Sequence, residues 1–232
     1  MKSVAAATEA RQNLTVEDWA RAALDAMASG GLEAVAVEPL ARRLGVTKGS
    51  FYWHFANREA LLRAALALWE RRETEDVLAR VGDEPDPYRR IVKVFQEANA
   101  GYRSGRLYLA IAAAEDHPLV SEFVRRVSER RMAYLVECYE ALGFEPARAQ
   151  HWARFAYATF MGNLQIRRDT PELMPTGAAF NEYLKLMIKT LIPRGEGSSF
   201  ASASGTRIDP ERPAMDGRAA PADGDDVAPG TA

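Results

Sequence analysis

The run LARRLGVTKGSFYWHFANR, Leu40 to Arg58, decides how the rest of the chain is read. Leu40, Ala41 and Leu44 fall at i, i+1 and i+4 and make one apolar side of a short helix, with Arg42 and Arg43 facing outward. Gly45 stands where a helix end takes a residue tolerant of the left-handed conformation, and Val46 can plug the turn into a core. Thr47 has the hydroxyl expected of an N-cap, and the helix after it points unpaired amides and a positive dipole end outward, a seat for phosphate. Gly49 lets a backbone come close to a groove, Lys48 and Tyr52 share a face, and Phe51 and Phe55 are the inward anchors. Residues 39 to 58 hold four unambiguous cations, Arg42, Arg43, Lys48 and Arg58, and no Asp or Glu, with Tyr52, Trp53 and His54 set among them. A compact two-helix unit with clustered positive charge and hydrogen-bond donors suits the backbone of double-stranded DNA.

The segment TKGSFYWHFANREALL, preceded by LEAVAVEPLARRLGV at the matching spacing, resembles the helix-turn-helix of the TetR family of bacterial transcription regulators. Agreement with the family pattern runs from about Trp19 to Trp69. The resemblance implies that Lys48, Gly49, Ser50 and Trp53 meet base edges or the groove wall, and that Thr47, Tyr52, His54 and Arg58 hold phosphates, with Arg42 a further cation toward the duplex. Arg58 stands where the family usually has Lys, which keeps the charge. Ala36 stands where the family commonly has Thr, a cap and phosphate contact; losing such a cap typically costs about 1 kcal/mol. Pro39 is tolerated because first-turn amides lack intrahelical partners.

Composition sets the outer bounds. The chain has 232 residues, 47% hydrophobic and 27% charged, which suits a globular protein with a sizeable core. The formal net charge is -2, so the argument for DNA rests on local clustering and not on overall charge. A single cysteine, Cys138, excludes an internal disulfide and any multi-cysteine metal site. No apolar run approaches a membrane span, and the Ala-rich opening is broken by Glu9 and Arg11, unlike a signal peptide. A cytoplasmic protein with no membrane partner is expected.

The fold expected is all-α: a three-helix helix-turn-helix domain followed by a helical ligand-binding and dimerisation domain. Residues 1–13 read as a flexible arm, 14–56 as the DNA-binding domain, 57–80 as a connecting helix, 81–192 as the second domain and 193–232 as a disordered tail. Thr15 with Asp18 makes a capping box at the first helix, which Gly30-Gly31 ends. Asn57 caps the connecting helix, which carries Leu61, Leu62, Ala65, Leu68 and Trp69 and runs uninterrupted through ERRETED to Arg80. Asp86-Pro87 starts the next helix; Gly101 and Gly105 punctuate, and a short apolar helix runs from Leu107 to Ala114. A long amphipathic helix covers Leu119 to Leu142. The segment Pro146 to Arg168 is apolar on two sides, so one side meets its own domain and the other a partner. Residues 176 to 191 form the last helix, and the Gly- and Pro-rich tail, whose single aromatic is Phe200, cannot offset its chain entropy.

Chemistry-bearing clusters are scarce. His54, His117 and His151 are scattered, and Glu115-Asp116-His117 reads as a helix end before proline, so neither metal nor cofactor is expected. Cys138 lies on an apolar stripe and reads as a core residue, and no nucleophile elbow or phosphate-cradling loop appears, so no enzyme is expected. Aromatic and polar residues share the later helices. Phe95, Tyr102, Tyr108 and Tyr134, with Cys138, Trp152, Phe155, Thr159 and Asn163, are the candidates to line a pocket for a small-molecule effector, a role the resemblance implies. For a symmetric homodimer interface of the two last helices the candidates are Tyr157, Phe160, Leu164, Phe180, Tyr183, Leu184 and Met187. The expected function is that of a homodimeric regulator, a repressor released from a near-palindromic operator by the effector. The rivals are an all-helical protein-interaction or ligand-carrier module without DNA binding, and a small-molecule enzyme using Cys138 or His151.

Overall fold

In the computed structural model the described residues are 14–100 and 102–193, less the side chains of Ala100 and residues 102–104. The expected arm over residues 1–13, the expected tail from residue 194 onward and the Tyr102 side chain lie outside them. Every regular element among the described residues is helical.

Helix α1, Val16–Gly30, opens with the expected capping box: Thr15 Oγ1 accepts from the Asp18 amide at 3.2 Å, and Asp18 Oδ2 accepts from the Thr15 amide at 2.9 Å. After a 3₁₀ turn, Leu32–Ala34, comes α2, Val37–Leu44, whose N-cap position is Ala36 with no side-chain bond. Its exit is a Schellman turn. Gly45 sits at φ 70°, ψ 29°, its amide donates to Arg42 O at 3.2 Å, and the Val46 amide reaches Ala41 O at 3.0 Å. Helix α3 is Lys48–Tyr52 and α4 is Arg58–Glu70, the latter capped by Asn57 Oδ1 accepting from the Ala60 amide at 2.9 Å.

The connecting helix differs from the uninterrupted α-helix expected. A π turn, Arg71–Glu75, separates α4 from α5, Asp76–Gly82. Then follow α6, Pro87–Ala100; α7, Tyr102–Ala112; α8, Pro118–Ala141; α9, Pro146–Asp169; and α10, Gly177–Leu191. Helix α7 begins before Gly105, which was expected to interrupt it. There α7 passes close to α9: a Cβ at 105 would stand 2.5 Å from Leu164 Cδ2, so a larger residue would require the leucine tip to shift.

Two hydrophobic cores result. The first packs α1 against α4 around Trp19, Phe51, Leu61, Leu66 and Trp69, and continues without a break into Tyr108 and Ile111 of α7 and Val120, Phe123 and Val127 of α8. The second lies farther along α8 and joins α5, α6, α9 and α10 around Ile91, Leu135, Cys138, Tyr139 and Leu191. There Tyr139 donates to the Leu191 carbonyl at 2.6 Å, fastening the last helix, and burial pushes its phenol well above the usual range.

Charged side chains bind the rod formed by α4, the π turn and α5 to both neighbours. Glu17 of α1 takes Arg71 at 2.9 Å and also Arg72. Arg126 of α8 makes a bidentate pair with Glu70, both contacts 2.7 Å, and Arg130 approaches Glu75 at 3.7 Å.

Candidate nucleic-acid interface and ligand cavity

The second helix of the turn is five residues long and has little stability of its own. Phe51 holds it: the ring is fully buried, edge-on to Trp19 at 5.4 Å and stacked on Phe55 at 5.4 Å. With Phe51 and Phe55 turned inward, Tyr52 is left 57% exposed and Trp53 89% exposed. An indole that open makes no contribution to this molecule's own packing, and a flat aromatic with a polar N–H suits a surface that is apolar and wet together. Thr47, Lys48, Gly49 and Arg42 are exposed beside them, and Ser50 and His54 are half-buried. Of the nine assigned residues, Arg42, Thr47, Lys48, Gly49, Tyr52 and Trp53 are exposed.

Four details differ from the sequence expectation. Thr47 occupies the N-cap position, but its hydroxyl makes no capping bond. Lys48 is not free: Nζ donates to Glu38 Oε1 at 2.8 Å, which raises the lysine pKa and lowers that of Glu38. Glu38 lies just outside the cation-rich window. Arg43 likewise meets Asp25 at 2.8 Å. Both pairs are exposed and separable at small cost. The larger correction concerns Arg58. Its Nε donates to Val35 O at 2.7 Å and its Nη2 to Leu32 O at 2.8 Å, so the guanidinium caps the carbonyls of the 3₁₀ turn instead of facing outward for phosphate.

A cavity of about 890 Å³, counting the part open to solvent, lies beside the rod where α5, α6, α7, α8 and α9 converge. Of the ligand candidates, Phe95, Tyr108 and Tyr134 line it. The Tyr102 side chain lies outside the described residues, and the other ligand candidates do not line the cavity. Cys138 is buried in the second core, where loss of solvation pushes its thiol up to about 11. Trp152 packs against Tyr139, Phe144 and Phe155. Phe155 is 51% exposed, and Thr159 Oγ1 donates to its carbonyl at 2.9 Å on that outward side. Asn163 is buried between Tyr183, whose hydroxyl donates to its Oδ1 at 2.7 Å, and the Met187 sulfur.

The two apolar sides of α9 are the reverse of the expected assignment. Tyr157, Phe160 and Leu164, expected at a dimer interface, form cavity wall. Tyr157 donates to Ser128 Oγ at 3.1 Å, and burial pushes its phenol up to about 12. On α10, Met187 is buried and Tyr183 and Leu184 are half-buried against the second core, while Phe180 is half-buried under the Arg167 guanidinium at 4.8 Å. The outward apolar residues are instead Phe155, Ile166, Leu173 and Leu186.

Arg131 and Thr74 on the cavity wall were missed. Arg131 follows Arg130 in a charged run and reads as solvated, yet it lies four residues from both Val127 and Leu135 on the apolar stripe of α8. That spacing was the available signal. Its Nε donates to Thr74 Oγ1 at 3.0 Å and its Nη2 to Glu73 O at 2.8 Å. Burial lowers its pKa, opposed by the nearby Tyr157, Tyr108 and Glu73.

No group of three or more His, Cys, Asp or Glu side chains among the described residues could hold a metal ion, and no described helix is long and apolar enough to cross a membrane. Residues 20–65 match the family model described as bacterial regulatory proteins, tetR family. Over 89 residues the chain is 36% identical to the tetracycline repressor protein class A from transposon 1721 of Escherichia coli, covering 37% of this chain and 40% of that protein. The chain thus matches well under half the length of that relative. Among solved structures, a transcriptional regulator from Rhodococcus sp. Rha1 superposes with a TM-score of 0.65 at 23% identity, covering 77% of this chain and 96% of that one. A TetR transcriptional regulator from Legionella pneumophila gives 0.65 at 18% identity, covering 78% and 98%. Residues 20–65 thus carry a helix-turn-helix of the tetR-family type, and the fold of the chain agrees along most of its length with these solved regulators.

Proposed function

We propose that the chain is a cytoplasmic, homodimeric DNA-binding transcription regulator, a repressor that leaves a near-palindromic operator when a small molecule enters the cavity. The observation that carries the DNA reading is α3 itself, anchored by Phe51 while Tyr52 and Trp53 stand open beside Lys48. Nothing inside the protein requires glycine at 49, where a Cβ would meet only Thr47 Oγ1 at 3.6 Å. A close approach by a groove wall supplies the reason. Residues 14–56 act as the reading domain, 57–80 as the connecting rod and 81–192 as the domain that senses and dimerises.

Dimerisation through the outer faces of α9 and α10 accounts for Phe155, Ile166, Leu173 and Leu186, which are 51%, 39%, 70% and 60% exposed. A twofold axis there places two copies of α3 in successive major grooves. Release requires that the effector bind the state with mismatched spacing more tightly, since affinity alone shifts nothing. The test is a gel shift with sequences selected from a genomic DNA pool. Lys48→Ala with Tyr52→Ala abolishes binding while leaving the fold intact by circular dichroism. A variant that still bound, or a protein indifferent to every duplex, would overturn the reading in favour of a carrier module.

A further inference from the structure

Arg131 differs from the other arginines around it on α8. Arg125, Arg126 and Arg130 each have a carboxylate partner: Glu129 at 3.2 Å, Glu70 at 2.7 Å and Glu75 at 3.7 Å. Arg131 points into the cavity instead, with no carboxylate at ion-pair distance among the described residues. Its neighbours are a backbone carbonyl, the hydroxyl of fully buried Thr74, the Tyr157 hydroxyl, and the rings of Tyr108 and Trp69 at 5.7 and 6.0 Å. A cation withdrawn from water and not neutralised by a counter-charge is a standing demand for an anion.

Tyr134, three residues along the helix, also lines the cavity, but its buried hydroxyl lies toward Gly82 and not toward Thr74, so it does not share a ligand head with Arg131. Most of the remaining wall is apolar, with Val77, Leu78, Val94, Phe95 and Phe160 around it. Of the two carboxylates on the wall, Glu97 is paired with Arg80 at 3.2 Å, and Glu73 acts on Arg131 from beyond ion-pair distance.

The hydrogen bonds of Arg131 also say what binding would do. Glu73 O and Thr74 Oγ1, which accept from it, belong to the π turn. A π turn widens the backbone and disturbs the i→i+4 ladder, so an external donor to its carbonyl helps to hold it. The group best placed to read a ligand is thus the group that clasps the middle of the rod.

We propose that the effector is an amphipathic carboxylate whose head is taken by the Arg131 guanidinium, and that this capture withdraws Arg131 from the π turn and loosens the rod. The inference rests on the regulator reading above and adds the chemical class of the ligand and the residue that couples it to the rod. A carboxylate matches the planar fork of a guanidinium. Decoupling the π turn frees α4 to move with the reading head independently of α5.

Three probes with one alkyl body separate the alternatives: decanoate, 1-decanol and decyltrimethylammonium, titrated against the full-length protein by calorimetry. Decanoate binds about tenfold or more tightly than decanol, in line with a charged hydrogen bond in a sheltered site. Arg131→Met removes that preference and keeps decanol binding, whereas Tyr134→Phe, whose hydroxyl lies toward Gly82, leaves the preference for the acid in place. Hydrogen exchange of the amides at 75–79 accelerates with decanoate, and accelerates in Arg131→Met without ligand. Equal binding of acid and alcohol, preference for the cation, failure of all three to bind, or exchange that decanoate leaves unchanged would each overturn the inference. Operator binding in the gel shift is scored separately. A protein that holds DNA and releases it to the cation or the alcohol leaves the regulator reading standing while this inference falls.

Discussion

Arg58 shows how a single side chain can be read correctly for charge and wrongly for duty. Its position in the motif, next to the Asn57 cap, suggests a phosphate contact, but the guanidinium faces inward to carbonyls 23 and 26 residues earlier in the chain. Those acceptors are backbone atoms, so no side chain in the sequence advertises the pairing. Arg58→Ala is expected to lower stability by about 1.5–3 kcal/mol, the usual range for hydrogen bonds to a charged group, seen as a reduced Tm in the absence of DNA. A residue that only touched phosphate would leave Tm unchanged and reduce the salt dependence of binding instead. Phe51 and Tyr52 were legible because neighbouring side chains on a helix stand about 100° apart, so once Phe51 is committed to the core Tyr52 is turned off that face. Arg131 was hidden for the same kind of reason as Arg58, its partners being a carbonyl and a hydroxyl on another helix.

At the scale of elements, helix ends were the most legible features, because capping is local chemistry. The Thr15–Asp18 box, the left-handed Gly45 and the Asp86 cap, whose Oδ1 accepts from the Arg89 amide at 2.7 Å, stand where their spacing put them. The missing cap at Ala36 was equally visible, and its backbone, φ -119° and ψ 137°, already has the extended shape a cap needs. Ala36→Thr is therefore expected to stabilise the protein by about 1 kcal/mol, measured as a higher midpoint in urea.

The π turn was not legible, since RRETE is as good an α-helix as any, and only the neighbours that grip it set its geometry. One of those neighbours gives a pH signature. Glu17 is held below its ordinary value chiefly by the Arg71 hydrogen bond, then by Arg21 and Arg72, against an opposing loss of solvation. A folded-state pKa below the unfolded one means that its contribution is present above the unfolded value, about 4.3, and is lost as pH falls toward the folded one. Glu17→Gln should flatten that acid-side part of the stability curve and leave the neutral-to-alkaline limb parallel to wild type. Denaturant titrations from pH 3 to 7 would show it.

For the whole molecule, the pattern of α9 identified a helix apolar on two sides but could not say which side faced which neighbour. Both stripes are apolar and aromatic, and their assignment depends on where α7 and α8 lie, which is non-local information. The reversal moves the outward role to Phe155, Ile166, Leu173 and Leu186. Phe155→Asp with Leu186→Glu should convert a dimer into a monomer of unchanged helicity in sedimentation experiments, since a charge at the centre of an apolar contact is costly to bury. Operator affinity should fall with it, because each reading head then binds alone. Sedimentation as a dimer in that double variant would reject this face as the seam.

The first hydrophobic core has a practical bearing on anyone who splices such regulators. Tyr108, Ile111, Val120 and Phe123, all beyond residue 80, seal the same interior as Trp19 and Trp69. A graft that transplants only the leading segment onto a foreign sensor would leave that interior facing water or mismatched side chains. Successful hybrids must carry the matching residues of α7 and the first turns of α8 along with the head.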